Sequence, residues 1–290
     1  MNQKDFHNDK KSFPSDFFWG SATASYQVEG GIENNDWAEA ARANKVPVCG
    51  RSTDHYNRFE SDFDIAQSLG HNAHRISIEW SRIEPEEGKF DEKEIEHYRT
   101  VLRALRSRDI KPFVTLWHFT LPLWFTQKGG FSNKKAPEIF ARYCTYVIDN
   151  LGQEAEYWMT INEPLVWASG SFLMGNWPPF KKNPFLFLKM KHRLQAAHRL
   201  AYYEVKKNNS HIKLGVAKHN IYFWSDSKPW NSFRARFMNW FWNESFLNAI
   251  SDQQDFIGLN YYFHKKFGNT PNLPKTDMGW DIFPPVFYTH

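Results

Sequence analysis

The chain has 290 residues, 41% hydrophobic and 23% charged, with a net charge of +4, the balance of a globular protein of one large domain or two small ones. No apolar run approaches the ~20 residues of a membrane helix, residues 1–11 lack a signal-peptide core, and the basic residues are scattered, so a cytoplasmic setting with no membrane or nucleic-acid partner is expected. Cys49 and Cys144 form neither a disulfide framework nor metal-ligand spacing, and no metal or cofactor is expected.

Residues 1–12 read as a disordered tail, and residues 13–290 as a single domain. Residues 17–24 form a first strand with small side chains at Gly20, Ser21, Ala22 and Ala24, where close packing would be wanted. Tyr26 to Gly31 follow as a polar loop, and residues 32–53 as a long one. Thr53 caps a first helix carrying Tyr56, Phe59, Phe63, Ala66 and Leu69, closed by Gly70. Residues 74–80 alternate as a second strand, with Ile76 and Ile78 on one face and Arg75, Ser77 and Glu79 on the other.

Asp91 caps a second helix bearing Ile95, Tyr98, Leu102 and Leu105. Residues 111–117 are a third strand that ends at His118. Pro137 marks the first turn of a third helix, whose apolar face holds Phe140, Cys144, Val147, Ile148 and Leu151. Residues 158–161 are a buried strand broken by Asn162-Glu163-Pro164. A loop over 167–184 leads to a helix over 186–207. A strand over 213–219, an aromatic helix over 234–250 and a strand over 255–260 follow, and 265–290 shows no clear final element.

Strands and helices alternate, as in a parallel sheet with crossover helices. Polar chemistry follows the strands repeatedly: Gln27, Glu79, His118, Asn162-Glu163, His219-Asn220 and Asn260 to Tyr262. Catalytic residues of a (β/α)8 barrel come from several strand ends, whereas a doubly wound sheet concentrates its contacts at one Gly-rich switch point. No GxGxxG, Walker A or HExxH occurs, which favours the barrel. Glu163 is then a carboxylate delivered to a strand mouth, where partial burial suits it to general acid work. The alternative is a charge placed at a helix N-terminus. Aromatic residues make up 18% of the chain, with 13 Trp, 12 Tyr and 26 Phe. Most belong in a core, yet an indole beside amides and carboxylates also suits the apolar face of a sugar ring.

The chain resembles glycoside hydrolase family 1, the β-glucosidases and β-galactosidases. The resemblance rests on Phe18-Trp19-Gly20 with Gln27 to Gly30, Arg75 to Arg82, Thr115 to His118, Thr160 to Pro164 and Gly258 to Tyr262, in that order. It implies an α/β fold of the (β/α)8 TIM-barrel type and hydrolysis of O-glycosidic bonds in β-glucoside-like substrates, small glycosides or oligosaccharides. It also implies that Gln27 and His118 bind sugar hydroxyls, that Asn162 holds the 2-hydroxyl and that Glu163 is the general acid/base. Arg75, Asn260 and Tyr262 would orient a second carboxylate. Phe119 stands where the family commonly has Trp.

The family's nucleophile lies in a Thr-Glu-Asn-Gly motif on the seventh strand, and no such motif occurs in these 290 residues. A retaining glycosidase needs that carboxylate ~5–5.5 Å from the acid/base. The expected fold is therefore an incomplete barrel, with about six of eight β/α units present. Glu79 is the in-chain candidate for a substitute nucleophile, against a structural role paired with Arg75 or Arg82. Weak hydrolysis, sugar binding without turnover, and a split enzyme needing a complementing chain are the three functional expectations. The open edge is expected to self-associate, to pair with such a chain, or to be covered by residues 265–290.

Overall fold

The computed structural model describes residues 12–226, 228–269 and 273–283. The tail expected over 1–12 lies outside them apart from Ser12. In chain order the elements are β1 (Gly20–Ala22), α1 (Ser25–Val28), α2 (Asp36–Arg42), α3 (His55–Ser68), β2 (Ala73–Ser77), α4 (Trp80–Ile83), α5 (Glu92–Arg106) and β3 (Lys111–Trp117). Then come α6 (Leu123–Gln127), α7 (Ala136–Leu151), β4 (Tyr157–Asn162), α8 (Pro164–Ala168), α9 (Pro184–Asn208), β5 (Lys213–Ser225), α10 (Pro229–Met238) and β6 (Phe256–Phe267). The six strands form one sheet in sequence order, every neighbouring pair parallel. This is the incomplete barrel read from the sequence.

Local signals explain where most helices begin. Asn35 accepts from the amide of Ala38 to start α2, Asp91 from that of Lys93 to start α5, and Asn183 from those of Phe185 and Leu186 to start α9. Asp54, not Thr53, occupies the cap position of α3, in a left-handed conformation and without a side-chain cap bond. In α5 the acids Glu92 and Glu94 lie in the first turn and Arg103 and Arg106 in the last, each favoured by the helix dipole.

Several expected boundaries shift. The first strand spans only three residues, and Gly20 is required there, because a Cβ would fall 1.9 Å from the carbonyl oxygen of Ala73. The expected long loop contains α2, and the loop after β4 contains α8 and a π-helical turn (Ser169–Met174). Neither is long enough to display a helical period of apolar residues. The expected aromatic helix over 234–250 divides into α10, a π-helical turn (Asn239–Glu244) and a 3-10 turn (Asn248–Ile250). β5 and β6 run to 13 and 12 residues, well past the barrel mouth.

The main core lies between the sheet and its helices. Trp80, Trp117, Trp158, Phe125, Phe131 and Phe140 are among its fully buried rings. Trp80 stacks on Tyr143 at 4.6 Å, and the indole of Trp117 donates to the carbonyl of Thr120 at 2.8 Å, so these tryptophans are core as composition favoured. Cys144 is buried in the same core.

On the other face, a cavity of about 480 Å³ opens between β1 and β6, lined by Gly20, Arg75, Met159, Ala217, Gly258 and Asn260. No described strand pairs with the free edge of β1 or of β6. Trp19 before β1 is 50% exposed and Leu259 on β6 is 62% exposed. The described part of the tail folds onto the extension of β5 and β6, not across the gap. Trp280 packs on Tyr262 and Phe263, and Phe283 on Tyr222, Trp224 and His264.

Phe140 contacts Trp80, Trp117, Phe131 and Tyr143 at once. Phe140→Ala is expected to lower unfolding stability by about 3–5 kcal/mol, measured as a shift of the urea midpoint with unchanged slope.

Candidate active site

β4 is an apolar run of Tyr, Trp, Met, Thr and Ile, buried on both faces as a parallel strand must be. Its register against β5 shifts between Met159 and Asn162, which turns the strand end. Glu163 then takes a left-handed conformation, φ 44° and ψ 61°, held by its amide donating to the carbonyl of Ala217 at 2.7 Å. That conformation is costly for a residue with a side chain. Pro164 opens α8 at once. Glu163 thus occupies a helix N-cap position, yet its carboxylate makes no cap bond. Asn260 of β6 donates to it instead, at 2.7 Å. The bend aims the carboxylate across strand ends rather than at its own helix.

Around Glu163 the strand ends form one network. Arg75 of β2 donates to Asn162 Oδ1 at 2.7 Å and to Thr115 Oγ1 of β3 at 2.8 Å. Asn162 Nδ2 lies 3.3 Å from His118 Nε2. With Asn162 as donor, the His118 proton sits on Nδ1, a buried atom without a partner among the described residues. Asn260 Nδ2 also reaches Asn162 Oδ1 at 3.5 Å. Arg75, His118, Asn162, Glu163 and Asn260 therefore meet in one place, brought there by four strands and their ends.

Burial raises the pKa of Glu163, and the Asn260 hydrogen bond and the charges of Arg75 and Lys218 pull it back. The outcome is a carboxyl that keeps its proton more readily than one in water, as a general acid needs. Burial, aided by the Arg75 charge, pushes His118 down to about 3, so its ring is neutral at pH 7. Burial lowers Arg75 to about 10, which leaves it charged. Tyr262 is half exposed, stacks on His219 at 5.6 Å and has its phenol pKa raised by burial and by Glu163.

Two expected residues stand apart. Gln27 lies on α1, exposed, and its side chain makes no hydrogen bond with the described residues. Glu79 is fully buried in a cage of donors: Ser25 at 3.0 Å, Asn35 at 3.3 Å, Ser81 at 2.6 Å and Thr120 at 2.9 Å. Its expected pairing with Arg75 or Arg82 is not found. Arg82 pairs with Glu29 at 2.9 Å, and Arg75 takes neutral oxygens. A carboxylate whose lone pairs are committed to four side-chain donors is a structural anchor that ties α1, α2 and the His118 loop together, not a nucleophile.

Sequence reasoning passed over Lys218 of β5. It is 1% exposed, donates to the carbonyl of His219 and lies over Trp242 at 5.7 Å. Burial pushes its pKa down to about 7, against the pull of Glu163. The available signal was a lone lysine directly after the apolar run Leu214 to Ala217. Thr115 was quoted only as part of a motif, but it holds Arg75.

Comparisons with known proteins agree with this fold. The profile described as Glycosyl hydrolase family 1 matches residues 9–246. The chain is 31% identical to 1,4-beta-D-glucan glucohydrolase of Thermotoga neapolitana, over 96% of this chain and 77% of that one. It is likewise 31% identical to Beta-glucosidase A of Thermotoga maritima, over 96% and 74%. Among solved structures, the beta-glycosidase from Pyrococcus horikoshii superposes with a TM-score of 0.86 at 34% identity, covering 95% of this chain and 72% of that one. The chain belongs to glycosyl hydrolase family 1 and is a glycoside hydrolase.

Glu79→Ala leaves four buried donors unpaired, and a loss of about 3–5 kcal/mol is expected, read by denaturant titration. A loss of activity with unchanged stability would instead make Glu79 a reacting group. Asp36 supplies a pH test. Burial raises its pKa from 3.8 to about 8, overriding the backbone amide of Leu121. The folded state therefore holds a proton that the unfolded state has lost, and stability falls as pH rises through that window. Asp36→Asn is expected to flatten the fall in melting temperature between pH 5 and pH 8, leaving the part due to Glu29, whose pKa burial raises to about 7.

Proposed function

We propose that these 290 residues by themselves hydrolyse β-glucoside-like O-glycosides weakly, with Glu163 as the general acid/base and no nucleophile of the usual kind among them. The observation that carries the reading is the position of Glu163: buried, aimed across the strand ends, and hydrogen-bonded by Asn260 beside Asn162. Its carboxyl protonates the oxygen of the leaving group while the glycosidic bond breaks. Asn162 and His118 hold ring hydroxyls, and Asn162 keeps one amide hydrogen beyond those already engaged. Gln27 joins them from the exposed α1 once a sugar bridges the distance. Arg75, Asn260 and Tyr262 lie where they would orient a second carboxylate. The likeness to a 1,4-beta-D-glucan glucohydrolase and a beta-glucosidase supports a β-glucoside as the substrate.

The low activity follows from chemistry. Without a carboxylate to capture the sugar, water must trap an oxocarbenium-like centre from the open bore. Acid catalysis alone contributes about 10²–10⁴-fold. A second reading is favoured by one observation: Ile257 and Leu259 of β6 are 46% and 62% exposed, beside a sheet edge that no described strand pairs. On that reading a complementing chain or a second copy completes the single domain of residues 13–290.

Four measurements separate the readings. Glu163→Gln is expected to lower cellobiose hydrolysis by about 10²-fold or more. Azide added to the unaltered chain with an aryl β-glucoside is expected to raise nitrophenol release and yield the α-glycosyl azide, because azide attacks opposite the departing group. Calorimetric binding of sugar with no turnover under either condition would establish a binding module, and activity that rises steeply with chain concentration would establish assembly at the open edge.

A further inference from the structure

α10 and the π-helical turn after it carry a face that the sheet does not use. Ala235, Met238 and Trp242 pack toward Ile221, Phe223 and Phe267 of β5 and β6. On the opposite side Trp230, Phe233, Phe237 and Trp240 are 67%, 51%, 47% and 50% exposed. They recur at helical spacing and form a ladder of rings, with successive centroids 5.5, 6.4 and 6.0 Å apart. Phe241 joins this ladder to Phe187 of α9 at 6.1 Å. The start of α9 adds Phe185, 81% exposed, and Leu188, 41% exposed. A contiguous patch of this kind marks an interaction site on a soluble fold.

Charge identifies the partner. Residues 228–243 contain Lys228, Arg234 and Arg236 and no acid. No Asp or Glu occurs between Glu163 and Glu204, a stretch that holds Lys181, Lys182, Lys189, Lys191, Arg193 and Arg199. Lys191 turns inward to Ser245, and Arg234 lies over Phe267. Lys189 of α9, Lys228 at the cap of α10 and Arg236 within it stay exposed on the elements that carry the rings. The acids that flank residues 228–243 in sequence are engaged by amides: Asp226 is bonded to Asn231, and Glu244 to Asn239. A second copy meeting this face about a two-fold axis would set cation against cation. Indole and phenyl rings framed by Lys and Arg are the composition of a helix lying in a lipid headgroup layer.

We propose that α10 and the start of α9 form a docking surface for an anionic lipid bilayer, with the rings at the headgroup boundary and the cations on lipid phosphates. No described helix is long and apolar enough to cross a membrane, so the contact is peripheral. The expectation of no membrane partner came from the lack of a spanning run, which has no bearing on a helix lying in the interface plane. Trp242, in the same helical segment, donates to His219 at 3.3 Å, so the surface sits at the sheet end that carries the candidate active site.

The test is binding, and it does not require turnover. The full chain is expected to sediment with vesicles of phosphatidylcholine and phosphatidylserine, with a blue shift of tryptophan emission, and to be released by salt. F233D/F237D is expected to abolish this. K228E/R236E, which leaves the rings intact, is expected to lower partitioning by about tenfold. Both variants alter exposed positions, and circular dichroism matching the parent confirms their fold. Absence of binding, equal binding to phosphatidylcholine alone, retention by F233D/F237D, or a concentration-dependent dimer that the same substitutions abolish would overturn the proposal.

Discussion

A buried guanidinium organises the polar end of the sheet. Arg75 projects from β2 into the bore, where a charge is expensive unless it is hydrogen-bonded. Its contacts are neutral oxygens, Thr115 Oγ1 and Asn162 Oδ1, with the charge of Glu163 farther off. Fixing the Asn162 oxygen leaves its nitrogen toward His118, and Asn260 then bridges Asn162 and Glu163. Four strands are thereby registered by one charge, and the orientation of the Glu163 carboxylate depends on it.

The same charge exposes what is uneven about the site. Cations and amides converge on it from β2, β4, β5 and β6, whereas the only carboxylate in the described network is Glu163. Lys218 adds a second buried amine near it. The balance of positive charge pulls Glu163 toward ionisation while burial pulls the other way. A site so poised responds strongly to any group entering the bore, because the surrounding dielectric is low.

Structural and chemical carboxylates are separated by their surroundings rather than by their place in the fold. Glu79 and Glu163 both follow a strand. Glu79 ends in a closed cage of hydroxyls and an amide, and its lone pairs are used in holding loops together. Glu163 has a single strong side-chain donor, Asn260, and is otherwise uncommitted among the described residues. The open edge of the sheet and the aromatic face of α10 are separate surfaces with separate demands: backbone pairing groups at one, rings and cations at the other.

The order of strands and helices, the strand-end position of Glu163 and the family motifs were legible in the amino-acid sequence by itself, because parallel strands read as short, mostly apolar runs whose breaks mark their ends. β3 and the apolar face of α7 emerge as read, since each is set by local periodicity. Short helices such as α2 and α8 were not legible, as fewer than two turns leave no period to detect. The absence of a Thr-Glu-Asn-Gly motif was likewise visible from the residues alone. Only the tertiary structure decided that Glu79 is caged, that Lys218 is buried near Glu163, that Gln27 stands outside the network and that one face of α10 is left to solvent. Each of these depends on which side chains meet across strands distant in sequence, and spacing along the chain carries no record of those meetings.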